Sequence, residues 1–190
     1  KAATKAEADA LASFTQAFAI REEMVRQDPA NSEWQRDLAV SLLRTGDMKV
    51  ATGDSAGASG NYGQALAIIR RLSSQDPANL DLRRDLSVAL KAVGDIGTIN
   101  GDPATASGAY VEAKSILDAL IVRQPDNSEL KRDSIVLNVK MAEAGMDSAV
   151  NLQAALAQAE ALQQQDSLGA SDAWMIEDIR SRLKALQPQG

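Results

Sequence analysis

An all-α solenoid of antiparallel helix hairpins is the fold class that the amino-acid sequence predicts, and three observations carry it. A 48-residue unit recurs: Pro29, Asn31 and Arg36 return as Pro77, Asn79 and Arg84, and again as Pro125, Asn127 and Arg132. Residues 16–62 set against 64–110 give 23 identities in 47 positions without a gap, and a fixed period of about 20–50 residues marks a stacked repeat. The chain is 45% hydrophobic but only 3% aromatic, with alanine and leucine dominant. That bias suits close helix packing and not a β-sandwich, which favours β-branched and aromatic residues. Helical spacing of apolar residues runs throughout, and no alternating segment offers a strand.

The first helix covers about Thr4 to Gln27, with Ala10, Phe14, Ala17, Phe18, Met24 and Val25 on an apolar stripe. Asp28-Pro29 stops it, because proline disfavours the helical conformation in the residue before it. Asn31 is placed to cap a second helix carrying Trp34, Leu38, Leu42 and Met48 to about Thr52. Gly53-Asp54 ends that helix and caps the next, Ser55 to Ser74, with Tyr62, Leu66, Ile69 and Leu72. The cycle repeats from Asn79 to about Asn100. Gly101-Asp102-Pro103 then supplies a stop, a cap and a first-turn proline, and a helix follows from about Ala104 to Arg123. A third, looser cycle begins at Asn127, and its turn Gly145-Met146-Asp147 comes three or four residues early, as if one helical turn were deleted. Helices at about Ser148–Gln165 and Ser171–Leu186 complete eight. The units are thus a half-repeat at 1–28, repeats at 29–76 and 77–124, a degenerate repeat at 125–168 and a capping helix at 169–190, all in one repeat domain. An opening half-repeat leaves the face of Phe14 and Phe18 uncovered, which suggests the C-terminal part of a longer protein. The start, Lys1-Ala2-Ala3-Thr4, has neither initiator methionine nor signal core.

Composition narrows the function. The net charge is −6 and no basic run occurs, which argues against a nucleic-acid partner, since phosphate binding needs a clustered cationic face. No apolar stretch approaches the roughly 18 residues of a membrane span, so no membrane insertion is expected. Absence of cysteine fits a cytoplasmic protein and is compatible with the periplasm as well. With no histidine and no cysteine, the commonest general base, metal ligand and thiol nucleophile are all missing. We therefore expect no enzyme, no cofactor and no metal. Gly57-Ala58-Ser59-Gly60 and Gly94-Asp95-Ile96-Gly97 follow no strand and read as packing or turn glycines, not phosphate loops. Tyr62, Tyr110, Trp34 and Trp174 lie on apolar stripes and are expected in the core.

Gly46, Gly53, Ala58, Tyr62 and Ala65 recur as Gly94, Gly101, Ala106, Tyr110 and Ala113. This spacing resembles the tetratricopeptide repeat: small residues let paired helices approach, and the tyrosine fills the gap to the next pair. The usual unit has about 34 residues, so this one has each helix extended by about two turns. Trp34-Gln35-Arg36-Asp37-Leu38 with Gly46-Asp47 is similar to long repeats of large bacterial signalling proteins. The resemblance implies a right-handed superhelix whose concave groove, lined by the first helix of each pair, binds a protein or peptide partner. It also leaves two alternatives: a ligand-sensing or regulatory arm of a larger signalling protein, and a self-association module acting through the N-terminal half-repeat. Where a known version of the family clamps a carboxylate with lysine and asparagine, this chain has Val40, Leu43, Arg44 and Asp47, then Val88, Lys91, Ala92 and Asp95.

One polar signal keeps time with the repeat: Arg36-Asp37, Arg84-Asp85 and Arg132-Asp133. It can be a ladder of ion pairs between successive first helices, or a row of guanidinium groups that holds an acidic segment bidentately. Asp47 and Asp95, with Glu143 slightly offset, form an acidic row open to the same two readings. Positions that vary between units are the better candidates for specificity: Leu43, Lys91 and Val139; Arg44, Ala92 and Lys140; Val50 and Thr98. The candidate partner-binding set is Arg36, Val40, Leu43, Arg44, Asp47, Arg84, Lys91, Asp95, Thr98, Arg132 and Lys140.

Overall fold

The computed structural model describes residues 5–187, without the side chains of residues 5–11, 14 and 170. Lys1–Thr4 and the side chains of Ala10 and Phe14 therefore lie outside the described residues. Eight α-helices and one 3-10 turn form the described chain, and no strand occurs among those residues. They are α1 (Lys5–Gln27), α2 (Ser32–Ala51), α3 (Ser55–Gln75), α4 (Leu80–Ile99), α5 (Pro103–Arg123), α6 (Ser128–Glu143), α7 (Ser148–Gln164) and α8 (Trp174–Ala185), with the 3-10 turn at Ala170–Asp172 before α8. The chain divides into two compact units between Ala106 and Ser107, inside α5.

The repeated turn residues set the helix ends. Asn31, Asn79 and Asn127 each turn a side-chain oxygen to a backbone N–H of the first helical turn, from Trp34, Leu82 and Leu130, all at 3.1 Å. Each bond satisfies a donor that the helix itself leaves unpaired. Asp54 accepts from the Gly57 N–H at 2.8 Å, and Asp102 accepts from both the N–H and the hydroxyl of Thr105. Gly53 and Gly101 adopt φ of +86° and +69°, a conformation that a side chain disfavours.

In the first unit each helix packs back on the one before it, α1 on α2, α2 on α3 and α3 on α4. The partly buried Ala17, Phe18, Arg21, Met24 and Val25 share one stripe of α1. Phe18 is thus part-covered and not solvent-exposed as expected. Leu38, Ala39, Leu42, Ala58, Tyr62, Ala65, Ile69, Leu72 and the α4 residues Leu82, Leu86, Ala89 and Leu90 are buried. The Tyr62 ring lies so close to Gly46 that a Cβ there would overlap it, and it joins a cluster with Ala58 and with Ala92 and Ile96 of α4. Tyr62 therefore fills both the gap within its own pair and the gap to the next one. Trp34 departs from expectation: it is only partly buried.

In the second unit α6 packs on α7 and α7 on α8. Ile135, Leu152, Ala155, Ala159, Leu162, Ile176 and Ile179 form the core. α6 has 16 residues against 20 in α2 and α4, so one turn is missing before Gly145. Asp147, the residue before α7, sits at φ +40° and makes no side-chain cap bond. Asn138 is 1% exposed, and neither amide atom has a hydrogen-bond partner; the corresponding residues of the earlier repeats are Leu42 and Leu90. Trp174 also departs from expectation, being 61% exposed.

Candidate functional site

A helix hairpin buries one face of its first helix against its own partner helix, which leaves another face to meet the first helix of the next hairpin. In the first unit α2 and α4 meet in this way and enclose a cleft of about 330 Å³. Val40, Leu43, Val88 and Ala92 line it with apolar surface, and Ile69 of α3 contributes to its floor. Val40 and Val88 remain 41% and 38% exposed. Six of the sequence candidates converge on this cleft. Val40, Leu43, Arg44, Asp47, Lys91 and Asp95 all line it.

Its charged groups are arranged from one end to the other. At one end Arg36 of α2 donates through Nε to Asp85 Oδ2 of α4 at 2.5 Å, and that bond holds the guanidinium above its ordinary pKa. This is one rung of the ion-pair ladder between successive first helices. At the other end Asp47 accepts from the Tyr62 hydroxyl at 2.8 Å and lies 3.9 Å from Arg44, while Asp95 pairs with Lys91 at 2.7 Å. Burial, the bond to Asp47, and the negative charge of Asp47 and Asp95 together push the Tyr62 phenol well above its ordinary pKa. Both carboxylates are therefore near enough to act on one hydroxyl, and it stays protonated as a donor.

The second unit carries a counterpart. α6 and α8 enclose about 240 Å³, lined by Ile135, Val136, Val139, Lys140, Glu143, Trp174, Met175, Asp178, Ile179 and Arg182. Val136, Val139, Lys140 and Glu143 occupy the repeat positions of Val40, Leu43, Arg44 and Asp47. Arg132 grips Asp172 with two parallel bonds of 2.6 and 2.8 Å, the fork geometry that makes arginine–carboxylate pairs strong and directional. Asp172 thus does for α8 what Asp85 does for α4. From that anchor Met175, Asp178, Ile179 and Arg182 fall into the places of Val88, Lys91, Ala92 and Asp95 at a constant offset of 87 residues. Charge is inverted at two of these places. Arg182, standing where α4 has Asp95, reaches across the cleft to Glu143 at 2.7 Å, and Lys140 bonds the same carboxylate at 2.8 Å. Burial alone would raise the Glu143 pKa, but the bonds from Lys140 and Arg182 outweigh it and hold the carboxyl below its ordinary range.

The other candidates fall elsewhere. Arg84 is partly buried on α4 and does not line the α2/α4 cleft. Thr98 is exposed near the end of α4 with its hydroxyl bonded back to the Gly94 carbonyl. Arg132 serves the Asp172 fork, and Lys140 lines the second cleft. Sequence reasoning did not single out the α8 half of that cleft, Trp174, Met175, Asp178, Ile179 and Arg182, because it treated α8 as a cap. The signal was available in the spacing from Asp172, which reproduces that from Asp85. No group of three or more histidine, cysteine, aspartate or glutamate side chains placed to hold a metal occurs among the described residues, and no helix there is long and apolar enough to cross a membrane. The chain matches no protein-family model, no curated protein and no solved structure.

Proposed function

We propose that this chain is a tetratricopeptide-like solenoid of long hairpins that recognises a protein or peptide segment, without catalysis, in the clefts between successive first helices. The observation that carries the reading is the pair of half-exposed valines, Val40 and Val88, on the apolar lining of the α2/α4 cleft. The same repeat position holds Val136 in the α6/α8 cleft. A core requirement does not explain an apolar residue kept in register at a solvent-facing position; a ligand side chain that packs there does. Arg36–Asp85 ties α2 to α4 at one end, so the cleft is formed before anything enters it. Binding then avoids much of the ordering cost that a floppy site incurs. The small lining area fits a weak, exchangeable contact and not an obligate interface.

The test is selection of a random 12-residue peptide library on the intact protein, with counter-selection on the Val40→Glu/Val88→Glu variant. We expect peptides of roughly micromolar affinity that the variant binds at least tenfold more weakly, the loss of two apolar contacts plus burial of charge. Peptides that bind both proteins equally would remove the cleft from consideration.

A further inference from the structure

We infer that the segment taken by the α2/α4 cleft carries an arginine side chain beside an aliphatic one, an inference that rests on the reading just given. The molecule supplies its own template. In the α6/α8 cleft the carboxylate of Glu143 receives two cations: Lys140 from its own helix and Arg182 from across the cleft. Asp47 is the equivalent carboxylate of the α2/α4 cleft, and Arg44, at 3.9 Å, is the equivalent in-helix cation. The position that delivers the cross-cleft guanidinium in one cleft is Arg182; in the other it is Asp95. An anion thus stands where the template has a cation.

The consequence is a difference in electrostatic demand. Three carboxylates, Asp47, Asp85 and Asp95, line the α2/α4 cleft against two cations, Arg44 and Lys91. Asp85 is taken by Arg36 at the far end, so Asp47 and Asp95 set the field at the near end, where both already act on the Tyr62 hydroxyl. A guanidinium entering from a partner can lie between α2 and α4 as Arg182 lies between α6 and α8. It would offer planar donors to Asp47 and Asp95 while Tyr62 keeps its bond to Asp47. The neighbouring aliphatic side chain then covers Val40, Leu43, Val88 and Ala92. An acidic segment, the type that a row of arginines in this groove would hold, meets like charge here.

The experiment uses the peptides enriched on the wild-type protein and lost on Val40→Glu/Val88→Glu, made synthetically with a fluorescein label and titrated by anisotropy. We expect arginine next to leucine, isoleucine or valine in most of them, and at least tenfold weaker binding when that arginine becomes glutamine. Asp95→Arg, which copies the α8 arrangement into α4, should weaken binding at least tenfold. Asp95→Gln should weaken it several-fold with no added bulk, and thermal melts establish that both variants fold. Cleft-directed peptides that are acidic or uncharged would overturn this inference and leave the cleft reading in place, as would peptides indifferent to both Asp95 substitutions. If no enriched peptide is sensitive to Val40→Glu/Val88→Glu, both readings fall together.

Discussion

The two clefts are built on one plan and held together by different means. Between α2 and α4 the cross-cleft pair is Arg36–Asp85 at one end, and the other end presents carboxylates from both helices. Between α6 and α8 there is a cross-cleft bond at each end, Arg132–Asp172 and Glu143–Arg182. The interiors differ in the opposite sense. The first unit buries Leu42 and Leu90 at the position where the second buries the unpaired amide of Asn138. The first unit thus rests on apolar packing and leaves its cleft accessible. The second has a weaker centre and a cleft pinned by charge. A repeat can exchange one source of stability for the other while keeping the same helices and the same lining positions.

Moving the buried amide between units is the strongest way to break this comparison. Leu42→Asn should destabilise the first unit by about 4 kcal/mol in urea unfolding, since it removes leucine burial and leaves an amide unpaired. The reverse change, Asn138→Leu, should stabilise by about 2 kcal/mol, because the desolvation cost of two unpaired atoms disappears; no gain would mean that Asn138 is satisfied in solution. Gly46→Ala comes next. Alanine is the better helix former, but its methyl would overlap the Tyr62 ring, and the overpacking should leave a net loss of about 1–2 kcal/mol. As a control, Gly60, with open space around its Cα, should accept alanine with a gain of up to about 1 kcal/mol.

Smaller effects sharpen the electrostatic half of the contrast. Glu143→Gln should cost about 1 kcal/mol at neutral pH, as expected of partly exposed ion pairs, and less at high salt. The pKa of Glu143 is lowered in the folded state, so its contribution is fully present above the ordinary carboxylate pKa and is lost as pH falls through the depressed folded value. Melting temperatures of wild type and Glu143→Gln should therefore converge between about pH 5 and pH 3, the span below the unfolded pKa. A gap that persists at pH 3 would contradict the charge pairing. The least effect is expected from Asp147→Gly, a gain of about 0.5–1 kcal/mol from relieving a side chain at φ +40°.

Most helix ends were legible because repeated turn chemistry wrote them. Asn31, Asn79 and Asn127 cap the helices that follow them, and Gly53 and Gly101 take left-handed backbone at the turns. The α2/α4 half of the site was legible too, because period fixes which residues of successive first helices face each other. The aromatic residues were less so. Tyr62 and Tyr110 are buried as their spacing implies, but Trp34 is only half-covered and Trp174 stands largely in solvent. An apolar stripe tells which side of a helix can be covered, not whether a neighbour is there to cover it. The role of α8 was hidden for a related reason. Its match to α4 begins at a 3-10 turn and lies 87 residues away, not 48 or 96, so the period itself does not reveal it.

The missing turn of α6 has a geometric consequence. Four residues advance an α-helix by about 400°, within about 40° of a whole revolution. Cutting four therefore shortens the rod by about 6 Å and hardly changes its azimuth. The cut falls between Glu143 and Gly145, beyond every α6 residue that lines the cleft. Hairpins of this kind can be trimmed in whole-turn steps, like a ratchet that moves only by full teeth, and the inward stripe keeps its phase. A change in hairpin length is then a poor guide to a change in what the cleft accepts; the charges at the positions of Asp47 and Asp95 are the better one.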